Sequence, residues 1–187
     1  TLSSSPTGSM ASSRSYPTLT TLLDGRVLVV GGYTGQAYVS TAELWDPNTG
    51  AWTPAGQVGT ARRFHTATLL ANGRVLVAGG YGGFNALASV VLYDPATNAW
   101  TPQPNLAIAR AHHTATLLPS GKVLLVGGSQ ETEQNPGAQA IPATEIYDPA
   151  TQQISAGRSM PTPLTYHTAT LLAGGRVLVT GGRTGGG

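Results

Sequence analysis

The chain has 187 residues, of which 10% are charged and 40% hydrophobic, with 25 glycines, 13 prolines and a formal net charge of +2. That balance excludes a coiled coil, and the apolar content leaves too much surface to bury for a disordered chain. No run of 18 apolar residues marks a membrane helix, the nine arginines and one lysine are scattered and not clustered as nucleic acid requires, and the absence of cysteine removes disulfides and thiolate chemistry.

The first stretch, Thr1 to Ser9, has no basic residue and no apolar core, so it does not read as a signal peptide. From Tyr16 onward the chain repeats itself. A Thr/Leu-rich run comes first, as in His65-Thr66-Ala67-Thr68-Leu69-Leu70. A turn pair follows: Asp24-Gly25, Asn72-Gly73, Ser120-Gly121 and Gly174-Gly175. Next comes an apolar run, Arg26-Val27-Leu28-Val29-Val30, and then Arg74 to Ala78, Lys122 to Val126 and Arg176 to Thr180. Each closes on a glycine pair, Gly31-Gly32, Gly79-Gly80, Gly127-Gly128 and Gly181-Gly182, spaced by 48, 48 and 54 residues. Trp45-Asp46-Pro47, Tyr93-Asp94-Pro95 and Tyr147-Asp148-Pro149 end a third run, and Trp52, Trp100 and Ile154 mark a fourth.

These short β-rich runs, punctuated by turn residues, predict strands. The Asp-Gly and Asn-Gly pairs are expected to form two-residue hairpins with positive φ. Asp-Pro at the second hairpin suits a type I turn, followed by a left-handed residue at Gly50 and Asn98, with Gln152 a poorer fit there. Four antiparallel strands per copy cannot hide both faces alone, and radial stacking of such units gives a propeller.

The glycine pair after the second strand, the Tyr/Trp-Asp-Pro after the third and the tryptophan opening the fourth resemble kelch repeats. The resemblance covers nearly the whole chain. It implies an all-β, kelch-type β-propeller of three complete four-stranded blades plus a half blade, an incomplete ring. The expected division is an N-terminal extension or neighbouring strand at 1–15, blades at 16–63, 64–111 and 112–165, and a half blade with a glycine-rich tail at 166–187. Thr1 to Ser4 falls where a preceding blade would place its outer strand.

Strand direction puts the tight turns on one face and the longer loops on the other. The longest loop, Ser129 to Thr144, contains Glu131, Glu133, Asn135 and Pro136. All four histidines occupy one slot at the start of the first strand, as Phe64-His65, His112-His113 and Tyr166-His167, with Tyr16-Pro17 in copy one. Arg14, Arg62 and Arg110 precede the slot, and Leu164 breaks that series. Three readings stay open: hydrogen bonding within the scaffold, an axial binding pocket, or a metal site. The axial pocket would be lined by Tyr16, Arg62, Phe64, His65, Arg110, His112, His113, Tyr166 and His167.

The stretch Met10 to Tyr16, followed by Asp24-Gly25-Arg26-Val27, resembles the part of galactose oxidase and glyoxal oxidase that carries their radical tyrosine. Tyr166-His167-Thr168 resembles the part that carries two of their copper ligands. The resemblance implies Tyr16 as radical residue and Tyr166 and His167 as ligands, but the cross-linking cysteine has no counterpart here. There is no G-x-S-x-G elbow, H-E-x-x-H or phosphate loop. The recurring Asp46, Asp94 and Asp148 read as turn caps.

The chain therefore reads as a non-catalytic binding or scaffold module without a cofactor. Its expected partner is a protein or a carbohydrate, with no nucleic acid and no membrane insertion, and its expected location is extracellular or at the cell surface. Two alternatives stand beside this: a truncated or degenerate copper oxidase, and a structural subunit that self-assembles by strand addition at the open half blade.

Overall fold

The computed structural model describes residues 7–130, 132, 135 and 138–185. Its elements are all strands, in hairpin pairs. Blade one comprises β1 (Thr18–Thr21), β2 (Val27–Val30), β3 (Thr41–Trp45) and β4 (Trp52–Gln57). Blade two comprises β5 (Thr66–Leu69), β6 (Val75–Ala78), β7 (Val90–Asp94) and β8 (Ala99–Gln103). Blade three comprises β9 (Thr114–Leu117), β10 (Val123–Val126), β11 (Thr144–Asp148) and β12 (Gln153–Ala156), and β13 (Thr165–Leu171) pairs with β14 (Val177–Arg183) as a half blade. Each complete blade is an antiparallel meander in strand order, so three full blades and a partial fourth stand as the repeat arithmetic requires.

The central strands explain why apolar runs here do not alternate. In β6 both faces are covered, Val75 and Val77 by blade one and Leu76 and Ala78 by blade three. One core joins blades one and two through Leu28, Val30, Ala42 and Leu44 against Val75, Val77 and Tyr93. A second joins blades two and three through Leu70, Leu76 and Leu92 against Val123, Leu125 and Tyr147. Each fully buried Val or Leu contributes about 1.5–3 kcal/mol, so the stability resides in the seams between blades.

The first hairpin of each blade differs from the two-residue turn expected. Leu22 N–H donates to Arg26 O at 2.8 Å and Gly25 N–H to Leu22 O at 3.1 Å, enclosing three residues. The same bonds recur at Leu70–Arg74, Leu118–Lys122 and Leu172–Arg176. Positive φ falls on the glycine and not on Asp24 or Asn72, the signature of a three-residue loop ending in a left-handed position; in the half blade both Gly174 and Gly175 adopt it. Asp24 and Asn72 serve instead as acceptors for the Arg26 and Arg74 amides.

The second hairpins follow expectation. Asp46, Asp94 and Asp148 each accept a backbone N–H two residues on. Gly50, Asn98 and Gln152 all sit in the left-handed region, Gln152 at φ 55° despite its poorer propensity. Trp52 and Trp100 tie strands to the preceding segment: Trp100 Nε1–H donates to Ala55 O at 2.6 Å, and Trp52 Nε1–H to Gly8 O at 2.8 Å. The segment before blade one thus meets it as blade one meets blade two. The expectation for Thr1 to Ser4, and those for Glu131, Glu133 and Pro136, lie outside the described residues.

Candidate functional site at the axial mouth

The site is built from the repeat slot, and two neighbouring residues in that slot do different work. Tyr16, Phe64, His112 and Tyr166 share a left-handed backbone with φ of 55°, 56°, 55° and 59°. Such a residue kinks the start of the first strand. The glycine pair faces the kink: a Cβ on Gly32 would meet Ser15 O at 2.9 Å, and on Gly80 would meet Arg63 O at 2.8 Å. The kink sends one side chain toward the axis and the next into the seam.

The seam residues form a repeated joint. Thr18 Oγ1 bonds His65 Nε2 at 2.8 Å, Thr66 Oγ1 bonds His113 Nε2 at 3.0 Å, and Thr114 Oγ1 bonds His167 Nε2 at 3.0 Å. Beside each bond the second glycine of one blade donates its N–H to a carbonyl of the next: Gly32 to Arg62, Gly80 to Arg110 and Gly128 to Leu164. Burial pushes His65 down to about 3, and lowers His113 and His167 as well. The imidazoles are therefore neutral at physiological pH.

The arginines preceding the slot are also structural. Arg62 donates to Gly79 O and Ser89 O, and Arg110 to Gly127 O and Ala143 O, each within its own blade. Arg110 also pairs with Glu145 at 2.7 Å, and Arg14 pairs with Glu43. Arg62 has Ser89 Oγ in that role, and burial without a carboxylate lowers it to about 10.

So the nine residues expected to line an axial pocket divide. His65, His113, His167, Arg62 and Arg110 are buried in or beside the seams and do not face the mouth. Tyr16, Phe64, His112 and Tyr166 come together as a stack, with ring centroids 4.7, 4.0 and 3.9 Å apart in succession. Backbone bonds from His112 N–H to Phe64 O and from Tyr166 N–H to His112 O hold the register. Tyr166 Oη and His112 Nε2 share a hydrogen bond of 2.9 Å. Tyr16 is 58% and Tyr166 48% exposed, so this stack presents faces to solvent.

Sequence reasoning missed the cations and tyrosines beside the stack. Arg63 lies with its guanidinium carbon 4.6 Å from the Phe64 ring, 5.1 Å from Tyr38, 5.2 Å from Tyr33 and 5.8 Å from both Tyr16 and Tyr81. Arg183 lies 4.5 Å from the Tyr166 ring. The signal was available: the position of Arg63 holds Ser15, Ala111 and Thr165 in the other copies.

The fold and its repeated joints define a propeller segment made of kelch repeats. The kelch motif matches residues 14–58 and 62–107, so the repeats of blades one and two are kelch motifs. None of the curated proteins matches it. Among solved structures it is similar to a fungal alcohol oxidase of the AA5 family in complex with copper, at 18% identity and a TM-score of 0.62. The match covers 90% of this chain and 48% of that one, so the chain spans about half its length. At that identity the likeness concerns the fold alone.

The residues do not fit the copper set that the oxidase resemblance implies. His167 Nε2 is committed to Thr114, Tyr166 Oη to His112, and Tyr16 is separated from Tyr166 by two rings of the stack. Among the described residues no three His, Cys, Asp or Glu side chains gather where a metal ion could be held.

Proposed function

We propose that the protein is a non-catalytic binding module that presents its long-loop face, centred on the axial mouth, to a protein or carbohydrate ligand. The stack of Tyr16, Phe64, His112 and Tyr166 carries this reading. Its rings are held in a strained backbone conformation and two of them are largely exposed. Strain of this kind persists where surrounding structure over-determines it, and it concentrates at ligand sites. Flat aromatic faces with cations beside them suit pyranose rings and peptide side chains. The extracellular or cell-surface location belongs to the same proposal.

The test is to probe arrays of glycans and peptides with the full chain and with Tyr16→Asn. Asparagine tolerates the left-handed backbone, so the substitution removes the ring and leaves the kink. We expect a defined set of ligands that the variant binds at least about tenfold less well, in line with loss of one stacking contact. Silence of the wild-type chain on both arrays refutes the reading.

A second reading, self-assembly through the half blade, has its own observation. The outer edge of β14 has no partner strand among the described residues, and Leu171, Leu172 and Leu178 are exposed beside it. Light scattering over a concentration series tests it: a constant monomer mass removes it.

A further inference from the structure

Arg63 is a residue of the mouth that the repeat does not explain. Each complete blade uses the arginine before the slot as a brace, and each seam uses a histidine as a lock. The next position is small in three copies, Ser15, Ala111 and Thr165, and an arginine in the fourth. Five aromatic rings surround its guanidinium at 4.6 to 5.8 Å, which fixes a long side chain that would otherwise be mobile. Its Nε is buried without a hydrogen-bond partner, and no ion pair reaches it among the described residues.

Among the described residues the acids lie away from it. Asp24, Asp46, Asp94 and Asp148 all sit at tight turns on the opposite face, and Glu43 and Glu145 are spent on Arg14 and Arg110 in the interior. The mouth around blades one and two therefore offers a positive charge on aromatic surface with no acid of its own among the described residues. Beside Tyr33 runs an open groove of about 340 Å³, lined by Ser13, Arg14, Ser15, Tyr33, Thr34 and Gly35.

We propose that Arg63 is an anion receptor for a carboxylate-bearing sugar, a uronate unit of an acidic saccharide. This rests on the binding-module reading above and names its ligand class. With Nε buried and the head group fixed among the rings, the two terminal amino groups of the guanidinium remain for a two-oxygen acceptor. The exposed ring face of Tyr16 packs on the C–H side of a pyranose, and the open groove beside Tyr33 leaves room for the adjoining unit. An acidic peptide would share the carboxylate but brings no flat C–H face to the exposed Tyr16 ring.

The experiment titrates the full chain by calorimetry with an oligogalacturonate trimer, a neutral galactose trimer and a hexaglutamate peptide. Binding of the oligogalacturonate is expected, weakening with added salt and falling at least about tenfold in Arg63→Gln, the loss of a charge-assisted contact. Arg63→Lys keeps the charge without the fork and is expected to lose comparably. Unchanged thermal melting of either variant assigns the loss to the ligand, and the lysine form carries the test if the glutamine form does not fold. Equal binding by wild type and both variants overturns the proposal, as does preference for the neutral trimer or the peptide. A ligand from the arrays whose binding depends on Tyr16 and not on Arg63 overturns this inference while leaving the binding module in place.

Discussion

Alanine at Gly79 and alanine at Gly181 test the seam by placing one methyl group at two repeat-equivalent positions. Both glycines have positive φ, 60° and 72°, so both substitutions carry the same backbone cost, about 1 kcal/mol. Their surroundings differ. A Cβ on Gly79 would lie 2.5 Å from Arg110 O and 2.8 Å from His113 Cε1, whereas on Gly181 it would have no atom within 4 Å. Relief at Gly79 requires blade three to move away from blade two. That adds an overpacking cost of about 1–3 kcal/mol. It also strains the bonds from Gly80 N–H to Arg110 O and between Thr66 and His113, each contributing about 1 kcal/mol. Gly79→Ala is therefore expected to destabilise by roughly 3–6 kcal/mol and Gly181→Ala by about 1 kcal/mol. Urea denaturation followed by far-ultraviolet circular dichroism measures both. Equal losses at the two sites would show that the glycine pairs serve only backbone conformation and that the close approach of the blades costs nothing to disturb.

Acid should loosen the seams. The folded protein keeps His65 neutral down to about 3, against an ordinary value of 6.5 in the unfolded chain. Above that ordinary value neither state takes a proton. Below it the unfolded chain does, so stability falls with pH, by about 2 kcal/mol at about pH 5 from this residue. His113 and His167 act in the same direction. Denaturation midpoints compared at neutral and mildly acidic pH check this, and a flat profile across that window contradicts the burial of the imidazoles. Glu145→Gln should cost about 3 kcal/mol, because it leaves the Arg110 guanidinium buried without its counter-charge. The same urea assay reads it, and a loss below about 1 kcal/mol would place the pair effectively in water.

Architecture was legible because turn chemistry is local. Asp-Pro and the glycine pairs announce their conformations without reference to the rest of the fold, and their spacing then sets the blades. Hairpin length was misjudged because Asp-Gly serves both two- and three-residue loops, and the choice depends on which flanking amides pair, here Leu22 with Arg26. Gln152 took the left-handed position because its hairpin is enforced by the pairing of β11 with β12, which overrides propensity. The histidines illustrate a different limit. Phe64 and His65 are adjacent, and sequence pattern does not reveal which of them points to the axis once a kink interrupts strand alternation. Recurrence was the better guide: what repeats in every seam is scaffold, and Arg63, which does not repeat, stands at the surface that differs from blade to blade.

The left-handed backbone of Tyr16, Phe64, His112 and Tyr166 also restricts how this molecule can be diversified. β-branched side chains are poorly tolerated there, so the stack can exchange one ring for another, or for asparagine, but not for valine, isoleucine or threonine. The codon just upstream has no such restriction, since Ser15, Arg63, Ala111 and Thr165 lie in ordinary backbone outside the left-handed region. Ala111 and Thr165 are buried and resist enlargement, so selectivity can be rewritten at Ser15 and Arg63 while every lock between blades is left untouched, and a combinatorial library confined to those two would vary what is held without varying what holds it.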